Sequence, residues 1–367
     1  HHPLCRVVLS SRTNLYQQVS GFERYYLADL TSDDIERYVT DKLGRKARRF
    51  REEAWKRNYH VLTTHPFYLN LMIETFTKSG SLPQRKADLF EFFVQSQLEE
   101  DLVKFRTAIP DILDRKQSLS HSMKRLALIM ENLGRNFITE EELTAIIPEP
   151  VERRITWDLG LLKKGEGEKP TLQFQHNSFQ EFLAAKVLAS KPLTTIKEFV
   201  AFAPEYLKTK PSWVNTISFV LSISVEDSGK FNEIVTWLSQ IEPEVLFKGE
   251  PDRISTAMRF AIFKKIFEEY REKRIRIGRE SYSVKDIGQF ADSSQSVEYL
   301  LSVLAAEKDP TILDNAVDVL RFMNIPPAQR NKTENLLLAV STSENCEPYL
   351  ISSVLITLAD RGFVSKH

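Results

Sequence analysis

From Thr31 onward, apolar side chains recur three and four positions apart with few breaks, the spacing that gives a helix one buried stripe. The pattern predicts a mainly α protein. Thr31-Ser32-Asp33-Asp34 offers a cap and an acidic first turn to a helix carrying Ile35, Tyr38, Val39 and Leu43. His65-Pro66 opens another through Phe67, Leu69 and Met72, with the proline in the first turn, where its missing N–H costs nothing. Leu89, Phe92, Phe93 and Leu98 continue a helical bundle to about Lys116. Three further segments, Leu119 to Leu133, Phe137 to Leu143 and Arg153 to Leu162, precede a glycine-bearing hairpin over 162–170. Three helices followed by a β wing predict a winged-helix domain. Arg153 and Arg154 invite a DNA-reading third helix, but Ile155, Trp157, Leu159, Leu161 and Leu162 make the segment apolar and suit it to packing.

Lys191-Pro192 breaks the chain after the winged helix, and helical spacing resumes to about Gly288, with Phe260, Phe263, Phe267 and Tyr270 on one face. The remainder carries a weak internal repeat. Tyr299-Leu-Leu-Ser-Val-Leu304 with Ala316, Val319 and Leu320 resembles Asn335-Leu-Leu-Leu-Ala-Val340 with Val354, Leu355 and Leu358. The interval is a little under forty residues, that of HEAT-like helical pairs, whose stacking makes an extended recognition surface.

Three stretches depart from helical spacing. Arg6-Val-Val-Leu-Ser-Ser-Arg12 and Tyr25-Tyr26-Leu27 read as buried parallel strands, and two such strands alone make no stable sheet, so the chain is expected to begin partway through an α/β domain. Arg12 then sits at a strand end, where a surface ion pair and a functional role are equally open for it. In the third stretch Leu172, Phe174 and His176 alternate with Gln173 and Gln175, which points the imidazole inward with the apolar residues. Ser178 stands three residues before Glu181, the spacing of a capping box, so a helix is expected with Ser178 as its cap and Phe179, Phe182, Leu183 and Val187 buried. A lone inward histidine reads by itself as a core residue with one satisfied hydrogen bond.

The block Phe174-Gln-His-Asn-Ser-Phe-Gln-Glu-Phe-Leu-Ala-Ala185 closely resembles the end of the winged-helix domain in NACHT-type members of the STAND nucleotide switches. That resemblance implies that His176 reaches the diphosphate of bound ADP and locks a closed resting form. It implies further that Pro66, at the start of its helix, backs the adenine ring, and that Arg12 lies at the sensor position near the γ-phosphate. Helix initiation explains Pro66 equally well. The implied cofactors are ADP/ATP, with magnesium in the full-length parent, and none held tightly by this chain alone.

Composition narrows the rest. The 367 residues, 42% of them apolar, suffice for two or three cores, and 50 basic side chains balance 50 acidic ones, so no overall field draws the chain to nucleic acid or an anionic membrane. A basic run from Lys42 to Arg57 is interrupted by Glu52 and Glu53 and lacks periodic aromatics, so a solvated helix face is preferred over nucleic-acid contact. Two distant cysteines, Cys5 and Cys346, suit a reducing compartment, and neither a membrane-length apolar run nor a signal-peptide core is found, which together suggest the cytoplasm. No Gly-x-x-x-x-Gly-Lys-Ser/Thr occurs, and no metal-binding or nucleophile spacing is present, so no catalytic or metal residue is assigned and this chain alone is not expected to hydrolyse ATP.

The expected architecture is therefore a mainly α chain with an N-terminal remnant of an α/β nucleotide-binding core (1–29), a helical domain (30–116), a winged-helix domain (117–190), a second helical domain (191–290) and α-solenoid-like HEAT repeats (291–367). The function implied is the regulatory half of a NACHT/STAND ATP/ADP-dependent signalling switch, in innate immunity or antiviral defence. Its partners would be an upstream P-loop domain and either a protein trigger or further copies of itself. The alternatives are a nucleotide-independent helical-repeat scaffold and a winged-helix nucleic-acid binder.

Overall fold

The computed structural model describes residues 25, 27–57, 59–165, 170–248, 253–278, 283–343 and 347–363. Arg12 and the strand expected over Arg6–Arg12 lie outside the described residues. Tyr25 and Leu27 are exposed and belong to no strand. The chain divides into two compact units, one formed by residues 25–200 with 212–226, the other by 201–211 with 227–363.

The first unit opens as its polar signals dictate. Thr31 caps α1 (Ser32–Leu43) through a capping box with Asp34, whose carboxyl is held below its usual range chiefly by its hydrogen bonds from Thr31. Gly44, at φ +51°, turns the chain through a short 3₁₀ segment into α2 (Ala47–Lys56), which buries Phe50 and Ala54. A single turn, α3 (His60–Thr63), leads to α4 (Pro66–Ser79), which starts with proline at N1 and ends on left-handed Gly80. α5 (Lys86–Phe105) then runs beneath it, burying Leu89, Phe90, Val94, Leu98 and Leu102.

The winged helix follows. Its elements are α6 (Lys116–Asn132), β1 (Ile138–Thr139), α7 (Glu140–Ile146), α8 (Pro150–Trp157), β2 (Leu162–Gly165) and β3 (Thr171–Phe174). The three strands pair antiparallel in the order β1-β3-β2, with Ile138 opposite Leu172 and Leu162 opposite Phe174. β1 is only two residues long, too short to show a period, and the sequence pattern does not announce it. Ile155, Leu159 and Leu161 are buried, and Arg153 donates to the Ile147 and Pro148 carbonyls, so α8 serves the domain's own packing. Asp101 of α5, almost fully buried, accepts the Gly160 N–H at 2.6 Å and so pins the winged helix to the bundle. A Cβ at residue 160 would lie 2.6 Å from Gln97 Nε2 and 3.2 Å from the Asp101 carboxylate oxygens, so the Gln97 side chain would have to swing aside.

α9 (Asn177–Leu188) is the axle of this unit. It packs along α6 on one side and α11 (Val214–Ser224) on another; α10 (Leu193–Val200) buries Ile196 and Val200. Arg85, just before α5, holds Asp88 at 2.6 Å and Glu226 at 2.8 Å; the hydrogen bond to Asp88 is the leading reason its guanidinium is stabilised in the charged form.

The second unit is a stack of helical pairs. α12 (Ser228–Ile241) is followed by α13 (Thr256–Lys273) with α14 (Val284–Phe290), then α15 (Ser294–Ala306) with α16 (Pro310–Leu320), then α17 (Pro327–Ser341) with α18 (Pro348–Asp360). First helices contact first helices, α13 on α15 and α15 on α17; second helices do likewise, α14 on α16 and α16 on α18. The repeat visible in the sequence spans α15 to α18. α13 and α14 share the arrangement although their sequence shows no clear repeat. Side chains stitch the layers: the Tyr299 hydroxyl donates to Glu268 at 2.7 Å, and Asn315 accepts the Ile277 N–H while donating to the Ile275 carbonyl, both at 2.9 Å.

Candidate functional site

The sequence block around His176 is built differently from its simplest reading. β3 ends at Phe174, the chain bends at Gln175 and His176, and the alternation that buries Leu172 and Phe174 stops there. His176 is consequently exposed, not turned inward. It is also the helix cap: α9 begins at Asn177, and the His176 Nδ1 accepts the Ser178 N–H at 3.1 Å. Ser178, expected as the cap, is instead a buried residue of the first turn.

The expected capping partner has another task. Glu181 is 1% exposed and accepts from Asn215 Nδ2 of α11 at 3.2 Å. Gln180 beside it donates from Nε2 to Glu131 of α6 at 2.8 Å, and Glu131 also accepts from the Thr216 hydroxyl at 2.7 Å. The Gln-Glu pair of the motif thus ties three helices through buried hydrogen bonds, each of which offsets the cost of taking a polar group out of water. Phe179 and Phe182 join an aromatic cluster with Phe67, Phe90, Phe93 and Phe219, with ring centroids 4.7–6.1 Å apart.

Two members of that cluster, Phe67 and Phe93, are half-buried and reach the surface. Phe67 follows Pro66 at the start of α4, and its ring lies flat on the His176 imidazole, centroids 3.6 Å apart and planes 8° from parallel. The structure therefore sets His176 against Phe67, the chain neighbour of Pro66, a residue that the sequence pattern marks only as core. Pro66 is exposed. His65 is exposed too, with its Nδ1 3.9 Å from Asp29 Oδ1 and its ring edge-on to Tyr68. Lys86 lies over the Tyr68 ring at 5.1 Å. Phe67, His65 and Lys86 had no signal of their own in the sequence, because what gives them a role is their position across helices.

The imidazole is fixed twice, by the stack and by the cap. Because Nδ1 accepts a hydrogen bond, the neutral ring carries its proton on Nε2 and offers a donor there. A fixed imidazole N–H can hydrogen-bond an anionic oxygen, and an exposed pyrrolidine can pack against a flat ring. A cleft of about 350 Å³ on the winged helix, lined by Leu143, Arg154, Trp157 and Lys164, includes neither of them. No group of three or more histidine, cysteine or acidic side chains is placed to hold a metal among the described residues, and no helix among them is long and apolar enough to cross a membrane. No protein-family model matches the chain, and no curated protein matches it either.

Proposed function

We propose that this chain is the regulatory half of a NACHT/STAND-type ATP/ADP switch, in which the winged helix holds His176 against the diphosphate of ADP carried by a P-loop domain upstream. The observation that carries the reading is the His176 ring itself: exposed, stacked on Phe67 beside Pro66, and committed by its cap bond to donating from Nε2. In the proposal the nucleotide supplies an anionic group, and this chain's residues supply only binding and orientation. His176 donates to a phosphate oxygen when the lid is docked, and Pro66 backs the base. The hydrogen bond exists in the closed state alone, so it biases a two-state equilibrium.

The stacked helical pairs fit the other half of such a switch, a surface that senses a macromolecular trigger or further copies of the same protein. Service in innate immunity or antiviral defence, a cytoplasmic site, and slow ATP hydrolysis by the parent belong to the same proposal. The competing reading is a helical scaffold with no nucleotide role, for which the stack of pairs alone would suffice.

Replacing His176 with Leu in the full-length protein separates the two. Losing one charge-assisted hydrogen bond should cost the closed state about 1.5 to 3 kcal/mol, enough to shift populations roughly tenfold or more. Co-purified ADP, measured by chromatography after denaturation, should fall, and the oligomeric fraction should rise. Unchanged ADP content and unchanged oligomerisation would remove the nucleotide reading and leave the scaffold.

A further inference from the structure

The corner between α1 and α2 concentrates charge that the chain as a whole does not have. Between Lys42 and Arg57 there are eight basic side chains and two acidic ones, in a protein whose 50 basic and 50 acidic residues cancel. The structure shows which of these reach solvent. Glu53 turns inward, 16% exposed, accepting the Leu82 N–H at 2.8 Å and pairing with Arg57 at 3.1 Å. Glu52 pairs with Arg48, whose side chain remains 85% exposed, and Arg49, 66% exposed, pairs with Glu53 at 3.2 Å. Arg45 and Lys46, at the 3₁₀ turn, are exposed and make no ion pair among the described residues.

An aromatic stands on the same surface. α2 buries Ala47, Phe50 and Ala54 on one side, and Trp55 projects from the flank of the other, 73% exposed. Trp55 lies seven residues from Arg48, two turns along one stripe of the helix and about 10 Å away. It is the one exposed aromatic of the run, since Phe50 is buried. An indole among exposed cations adds a flat aromatic face to the basic corner, the combination that nucleic-acid bases and phosphates require together.

We propose that this corner binds single-stranded nucleic acid, with a base stacked on Trp55 and phosphates held by Arg48, Arg49, Arg45 and Lys46. The stack suits an unpaired base, because a ring standing on a convex helix meets a base face only where the base is not already stacked in a duplex. An anionic membrane is the poorer fit: Trp55 is the sole large apolar side chain exposed along α2, too little to insert into a lipid interface. The inference is independent of the nucleotide switch and uses none of its residues.

The test is fluorescence anisotropy of a labelled oligouridylate of roughly 20 nucleotides, titrated with this protein at about 50 mM salt and upward, beside a duplex of equal length and phosphatidylserine vesicles. The expected result is saturable binding of the single strand, tighter than the duplex, with a log–log salt slope of about −2 to −3 for three to four phosphates. Trp55→Ala should weaken it about fivefold or more. Arg45→Glu with Arg48→Glu should abolish it, whereas Lys273→Glu, at an exposed cation of the second unit, should leave it unchanged. All these side chains are exposed, so thermal midpoints serve as the folding control. No binding at the lowest salt, indifference to Trp55→Ala and to the arginine reversals, or capture by vesicles without capture by the oligonucleotide would each overturn the proposal.

Discussion

Phe67 shows how one side chain changes what its neighbours can do. Half of it belongs to the core, edge-on to Phe179 and tilted against Phe90, and its open face carries the His176 ring. Without it the imidazole would still cap α9 but would lose the surface that sets its plane. Phe67→Leu keeps most of the volume and removes the stack. It should cost about 0.5 to 1.5 kcal/mol in chemical denaturation. The carbon-bound protons of His176, shifted upfield by the ring above them, should move downfield by NMR; resonances that stay in place would mean the stack is not populated. Little of this was readable in advance. Strand alternation correctly buried Leu172 and Phe174, but it gave no warning that the strand stops there. A capping hydroxyl three residues from a carboxylate describes a helix terminus equally well whether Ser178 or the histidine before it takes the N–H.

Among elements, the capping signals at Thr31 and the proline at residue 66 were legible because they act within one turn of chain. The close approach of α14 to the segment after α16 was not. Gly288 looks like any helix-interior glycine, yet a Cβ there would lie 2.8 Å from Phe322 Cβ and 2.9 Å from the Val319 carbonyl oxygen. Backbone stands on one side of that contact, so neither neighbour can swing away. Gly288→Ala should therefore destabilise the stacked pairs by about 1 to 3 kcal/mol, despite alanine's better helix propensity. A urea midpoint at or above that of the parent would show that the pairs slide apart at little cost. The buried Glu131–Gln180–Thr216 linkage is likewise a property of three helices together. Its members are far apart in the sequence and individually ordinary.

For the whole molecule, a net charge of zero hides opposed local settings. The clearest lies in α16, where burial, followed by the nearness of Asp314, pushes the Asp318 carboxyl up to about 6. Arg321 and Arg276 oppose that rise, and Arg276 also bonds Asp314 at 2.9 Å while lying over the Tyr349 ring at 4.2 Å. A carboxyl whose folded-state affinity for protons exceeds its unfolded value favours the fold most at low pH. Its contribution should fall as pH rises from about 4 to about 6, and stay lost above that. Discounted for partial exposure, the effect is about 1 to 2 kcal/mol. Asp318→Asn should raise the unfolding midpoint at pH 7 and leave it nearly unchanged at pH 4; equal effects at both would remove the titration argument.

What the sequence determined by itself is what short-range physics controls: helical periodicity, the cap at Thr31, the helix start at Pro66, the wing hairpin and the mainly α class, each set by residues within a turn or two of one another. The tertiary structure alone decided that His176 lies at the surface, that Phe67 holds it, that Glu181 joins helices rather than capping one, and that Trp55 stands out among arginines. These follow from which faces of distant segments meet. Burial and hydrogen bonding are shared between partners, and no single stretch of chain carries both halves of the contact.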